Sequence, residues 1–239
     1  LMAILMPSLR MAREQARSIS CRANVRTLTL AWLMYKDANE NLLVSGHTGA
    51  GGWVEQPTGG ANSTVEQKKF AIQEGALWPY LEKLEVYRCP SDMRKKSPLH
   101  QNAYRTYSIA GGLNGVGSPG WEIYPCKKFS DIKRPADRYV FLAECDPRGY
   151  NNGSWVLYPK RREWVDPFGI FHRNNSCTLG YADGRVGMQP FRSKGLIDWN
   201  KGAIEGGPAW KGFYRAPEGE DELMDFQTML DGYAYIRLN

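Results

Sequence analysis

Glu144, Asp146, His172 and Asp183 are the side chains best placed for chemistry in this 239-residue chain. All four fall near the ends of stretches that read as strands, so three or four oxygen and nitrogen ligands could meet there. Carboxylates suit Ca2+, and a His with carboxylates suits Zn2+ or another transition metal, so the expected chemistry is metal binding. A hydrolase fits less well, because a Ser nucleophile needs a base and a third group to orient it. No Gly-x-Ser-x-Gly occurs, and His47, His100 and His172 stand in unrelated contexts, so the chain is not expected to be an enzyme. The five cysteines, Cys21, Cys89, Cys126, Cys145 and Cys177, are too widely spaced for a zinc knuckle or a Cys-x-x-Cys redox pair.

The elements that must position these groups are legible from pattern. Arg138 to Cys145 (RYVFLAEC) is a mostly apolar run of strand length, and Tyr104 to Ile109 is a second candidate strand. Ser176 to Ala182 and Arg185 to Met188 flank Asp183-Gly184, a strong hairpin signal that makes Asp183 a turn residue first. Ala76 to Leu84 reads as a short helix, with Pro79 uncomfortable inside it unless near the first turn. Gly46 to Gly60 and Gly111 to Gly120 carry turn residues without periodicity and are expected to be long surface loops. After the acidic patch Glu218 to Glu222, the aromatic ending with Tyr233, Tyr235 and Ile236 could form a last strand.

The first 38 residues read as one long helix. Leu1 to Leu9 (LMAILMPSL) is apolar, and no helix breaker occurs between Ser8 and Asp37. An apolar, uncapped start suggests that the helix began upstream, since its first N–H groups would otherwise lack partners. The visible run is far shorter than the roughly 20 apolar residues a bilayer requires. It is either the C-terminal half of a membrane helix or a short core helix. Arg10, Arg13, Arg17, Arg22 and Arg26 follow it at once, with Glu14 at helical spacing from Arg10 and Arg17. Beyond them Cys21, Val25, Leu28, Trp32 and Tyr35 form the stripe that a helix buries against a globular body.

The run AILMPSLRMAREQARSISCRANVRTLTLAWLMY, with its Pro, Ala-Arg-Glu-x-Ala-Arg, Cys and Asn-x-Arg in that order, resembles the N-terminal helix of prepilin-like proteins abundant in Planctomycetes, Verrucomicrobia and Lentisphaerae, relatives of type IV pilins and type II secretion pseudopilins. YRCPSD (Tyr87 to Asp92), FSDIKRPADRYVFLAE (Phe129 to Glu144), Phe171-His172 and YADGRV (Tyr181 to Val186) extend the likeness, since heads of that group end in a His, a spacer and Asp-Gly. The resemblance implies an α+β, pilin-like fold: a long N-terminal helix (1–40) packed on a small, mainly antiparallel sheet head with long loops (41–239). It implies a pseudopilin-like subunit of the inner membrane, with its head in the periplasm or at the cell surface. Leu1, Ile4, Leu5, Pro7 and Leu9 would face the membrane or neighbouring subunits. The partners would be other pilin-like subunits, the secretion or pilus assembly machinery and a prepilin peptidase. Major pseudopilins use Ca2+ to order a head loop, which makes Ca2+ a candidate cofactor.

Charge adds a constraint. The net charge is +6, but the basic residues are spread along the chain, so no continuous nucleic-acid footprint is expected. In a head outside the cytoplasm the cysteines could form up to two disulfides; Cys21 with Cys89 would pin the YRCPSD loop to the helix, while Cys145 and Cys177 could simply be buried thiols. The alternative function is an anchored binding module or metal-dependent enzyme, for which Trp53, Trp121, Trp155, Trp164, Trp199 and Trp210 could supply flat recognition faces.

Overall fold

The structure, a computed structural model, describes residues 2–94, 103–115, 124–149, 151–205 and 210–236, with side chains from Met6 onward. Helix α1 (Met2–Ala38) is followed by strands β1 (Ser45–Thr48) and β2 (Gly52–Val54), helix α2 (Val65–Gln73), β3 (Tyr107–Ile109) and β4 (Tyr139–Ala143). Then come β5 (Leu157–Tyr158), β6 (Glu163–Trp164), β7 (Ser176–Tyr181), β8 (Val186–Pro190), α3 (Lys194–Glu205) and α4 (Gly219–Gly232). The central sheet has four strands in the order β3-β4-β7-β8, every pairing antiparallel. The architecture is α+β, a long N-terminal helix followed by a small, mostly antiparallel sheet.

The helix is seated on the sheet by its apolar stripe. Cys21, Val25, Leu28 and Trp32 are fully buried, and Tyr35 is half-buried against Tyr80, ring centroids 6.1 Å apart. Burying side chains of this size contributes roughly 1.5–3 kcal/mol each. Contact requires a strand residue without a side chain. At Gly180 in β7, a Cβ would stand 2.4 Å from Thr29 Oγ1 and 2.7 Å from Val25 Cγ1, so only glycine lets the helix approach this closely. β4, buried along its whole length, forms the centre of the core, where Phe141 meets Trp53 edge to face at 5.3 Å.

Several expectations change. Ala76 to Leu84 is not an α-helix but a 3₁₀ turn at Trp78–Tyr80, with Pro79 as its second residue, followed by a second 3₁₀ turn at Leu84–Tyr87. The Gly46–Gly60 stretch is not one surface loop: it holds most of β1 and all of β2, which pair in parallel, and Trp53 and Val54 are core residues. In the Gly111–Gly120 stretch, Gly111 and Gly112 are buried, and Gly112 passes the Ala234 carbonyl where a Cβ would collide with it; 116–120 lie outside the described residues. The acidic patch opens α4, its carboxylates favourably placed at the helix N-terminus. The expected last strand is only an isolated bridge between Ile236 and Tyr124.

The first half of α1 has a different environment. Met6, Leu9 and Met11 are 55%, 48% and 51% exposed, and Pro7, inside the helix, is exposed as well. Leu1 lies outside the described residues, as do the side chains of Ile4 and Leu5. Among the described residues no helix is long and apolar enough to cross a membrane. Arg10, Arg13, Arg17, Arg22 and Arg26 are all exposed.

Gly180→Ala is expected to lower stability by about 1–3 kcal/mol in urea unfolding, as overpacking does. Adding Thr29→Ala removes the nearer obstacle and should recover part of that loss, so the two effects will not add.

Candidate functional site

Cys21, Cys89 and His172, distant in sequence, converge in one buried cluster. Cys21 projects from the middle of α1, and its Sγ lies 3.0 Å from the Tyr107 hydroxyl of β3 and 3.2 Å from Thr178 Oγ1 of β7. Cys89 follows the 3₁₀ turn at Leu84–Tyr87. The loop is fastened to the helix by Asn24, whose Nδ2 donates to the carbonyls of Glu85 and Arg88 at 3.2 and 2.9 Å. It is fastened to the head by the Cys89 N–H, which donates to Thr106 Oγ1, while that hydroxyl donates to Asp92. Arg94 completes the anchor through a buried two-point pair with Asp92; burial would raise that carboxyl, but the charge of Arg94 together with the hydrogen bonds from Arg94 and Thr106 holds it below its usual range. His172 sits just before β7, bridged to Ser176.

The His172 ring is held at both nitrogens. Nε2 faces Cys89 Sγ at 3.4 Å, and Nδ1 faces Glu14 Oε1 of α1 at 3.0 Å. Ser91 donates its hydroxyl to the same carboxylate at 3.2 Å. Glu14 thus meets the head rather than the helix arginines expected at its helical spacing. The ligand atoms of Cys21, Cys89 and His172 all lie within 4.8 Å of one another. Burial alone would raise the Cys21 thiol, but hydrogen bonding from Cys89 and His172 and the charge on His172 outweigh it and pull it down to about 5. Cys89 moves the other way: burial and the adjacent Cys21 push it well above the usual thiol value. Burial would lower the imidazole, yet Cys21 and Glu14 raise it. Cys21 and Cys89, whose pairing in a disulfide was considered above, are neighbouring free thiols.

The four residues first considered for metal binding do not assemble. Among the described residues Cys21, Cys89 and His172 are the grouping with metal-ligand proximity. Asp183 is at the β7–β8 turn, where its carboxylate accepts from the Arg185 N–H at 2.9 Å. Asp146 is committed to Arg148, which approaches to 2.5 Å, and to the Asn152 N–H at 3.0 Å. Glu144 is buried with neither oxygen hydrogen-bonded. The sequence reading missed Cys89 and Glu14 as companions of His172 because spacing along the chain carries no sign of a convergence across α1, a loop and β7.

Among the described residues the aromatic surface expected of a binding module is also largely absent. Trp53, Trp155, Trp164 and Trp199 are at most 1% exposed; Trp210 is half-buried, stacked on Trp199, and Trp121 lies outside the described residues.

The arrangement can do two kinds of chemistry. Cys89, His172 and Glu14 line up as a nucleophile, a base and an orienting acid would. Catalysis would need an opening for substrate, yet Cys89 is 1% exposed and the His172 side chain 3%. The main clefts among the described residues, such as the one of about 630 Å³ lined by Asp131, Arg134, Arg138 and Tyr235, lie elsewhere. Two sulfurs and an imidazole are also a ligand set for a thiophilic metal ion.

Glu144 generates a pH expectation. Burial and the charge of Asp146 push its carboxyl from 4.5 to about 7, against the charges of Arg105 and Arg94. The folded state therefore holds this proton more tightly than the unfolded one, and stability falls as pH rises from about 4.5 through about 7. Asp166, pushed up by burial and by Glu144, acts in the same direction. Melting temperatures across this window should decline less steeply in Glu144→Gln than in the natural chain.

No curated protein and no solved structure matches the chain. Residues 10–151, which include Glu14, Cys21 and Cys89 but not His172, match a family model over more than half of the chain. The protein thus belongs to the SBP_bac_10 family, described as a protein of unknown function (DUF1559).

Proposed function

We propose that the protein is a non-enzymatic, pilin-like subunit that is held in the inner membrane through its N-terminal helix and assembles with other pilin-like subunits into a type II secretion or type IV pilus-like filament. The observation that carries this reading is the contrast between the two halves of α1. From Cys21 to Trp32 the stripe is buried in the head, whereas Met6, Leu9 and Met11 are about half exposed. At 1.5 Å per residue, the portion before Glu14, whose carboxylate meets His172 and Ser91 of the head, extends for about 18 Å. An uncovered helix presenting apolar side chains is suited to packing against copies of itself or against lipid. Family membership is compatible with the reading.

On this reading the head is periplasmic or at the cell surface. The helix is the element on which a prepilin peptidase and the assembly machinery act, and nucleic acid is not a partner. Burial of four of the candidate loop tryptophans weakens the rival reading of a head that recognises polysaccharide through aromatic faces.

Introducing Met6→Glu together with Leu9→Glu into the complete gene product tests the proposal. The variant is expected to disappear from sheared filament fractions and from subunit cross-links, while the head unfolds at the unchanged temperature, because neither side chain supports the core. A variant that assembles like the natural protein, or a natural protein that never cross-links to a pilin-like neighbour, would overturn it.

A further inference from the structure

The geometry points to a Zn2+ site formed by Cys21, Cys89 and His172, with Glu14 as the residue that positions the imidazole. Tetrahedral binding, with Zn–S near 2.3 Å and Zn–N near 2.05 Å, sets a sulfur and a nitrogen about 3.6 Å apart and two sulfurs about 3.8 Å apart. Cys89 Sγ and His172 Nε2 stand 3.4 Å apart, and the three ligand atoms lie within 4.8 Å of one another, so an ion can be accommodated with small side-chain adjustments.

The ring already stands in the orientation that a metal site requires. Glu14 accepts the Nδ1 proton and orients the ring with Nε2 toward the sulfurs, where a binding zinc ion would displace any proton it carries. A carboxylate behind a metal-binding histidine acts in this way, and Ser91 in turn orients the carboxylate. Charge supports the same occupant. Two thiolates, one neutral imidazole and Zn2+ sum to zero, which makes the cluster inexpensive to bury. The hydroxyls of Tyr107 and Thr178 at Cys21 can donate to its thiolate. Three protein ligands leave the fourth position to a solvent molecule.

Calcium is the wrong ion for this set, since it takes oxygen ligands. The ligands come from α1, from the loop after the Leu84–Tyr87 turn and from the approach to β7, so the ion would staple the helix to the head at two separate places. This site does not depend on filament assembly: it can hold metal in a protein that forms no filament, and the reverse.

The experiment uses the full chain, produced without a metal-binding tag and purified under reducing conditions. Elemental analysis is expected to give close to one Zn2+ per chain, falling at least tenfold in Cys21→Ser and Cys89→Ser. Replacement by Co2+ should produce thiolate-to-cobalt charge-transfer absorption and the visible bands of a tetrahedral ion. Glu14→Gln should keep the ion but bind it 10–100-fold more weakly. The cobalt spectrum of the natural chain decides the matter even where a cysteine variant fails to fold. A natural chain that takes up neither Zn2+ nor Co2+ under reducing conditions, or one in which both cysteine variants retain full metal, would overturn the proposal. So would a Glu14→Gln variant with unaltered affinity, as regards the role of Glu14.

Discussion

The close approach of α1 to β7 is the contact on which the rest of the molecule depends. It exists because Gly180 has no side chain where Val25 and Thr29 come down onto the sheet. Once the helix lies that near, its stripe from Cys21 to Trp32 becomes part of the head's core rather than a lid over it. The same approach sets the reach of the polar residues on either side of the stripe. Asn24 meets the carbonyls of the Cys89 loop, Cys21 meets hydroxyls from two strands, and Glu14 meets His172.

A second feature is the amount of charge buried behind that seam. Arg94 and Arg105 are almost fully enclosed together with Asp92, Glu144 and Asp146. Arg105 donates to the Tyr107 carbonyl and to Ser108, while Arg94 donates to Asp92 and to the Arg105 carbonyl. Such a network fixes backbone segments that have little regular structure, including the lead into β3 and the stretch around Asn151. Removing one partner leaves an uncompensated charge in the interior, which costs more than the pair contributes. Polar side chains thus organise part of the head's loop structure.

How much of this the sequence disclosed follows from the range of each signal. Helix α1, β4 and the β7–β8 hairpin rest on local periodicity and on the Asp-Gly turn, and each formed close to where those patterns place it. β1 and β2 are short, Gly-rich and paired in parallel, so nothing local distinguishes them from loop. The tryptophans fall in stretches that read as loop, which leaves both a core and a recognition role open, and the fold puts four of them in the core. His172 was legible as a candidate ligand, but its partners were not. The four-residue set built around it joined carboxylates that happen to precede or follow strands. From sequence Cys21 and Cys89 suggest at most a disulfide, and only the fold puts an imidazole beside them.

The uncovered half of α1 has a mechanical consequence. A tensile load applied at that end travels along the helix axis, in the plane of its interface with the sheet. Cys21, Val25, Leu28 and Trp32 would then have to slide out of their seats in concert, since a pull in this direction shears the interface instead of peeling it one turn at a time. The side chains that hold the helix in place share the force, and the head follows wherever the helix is drawn.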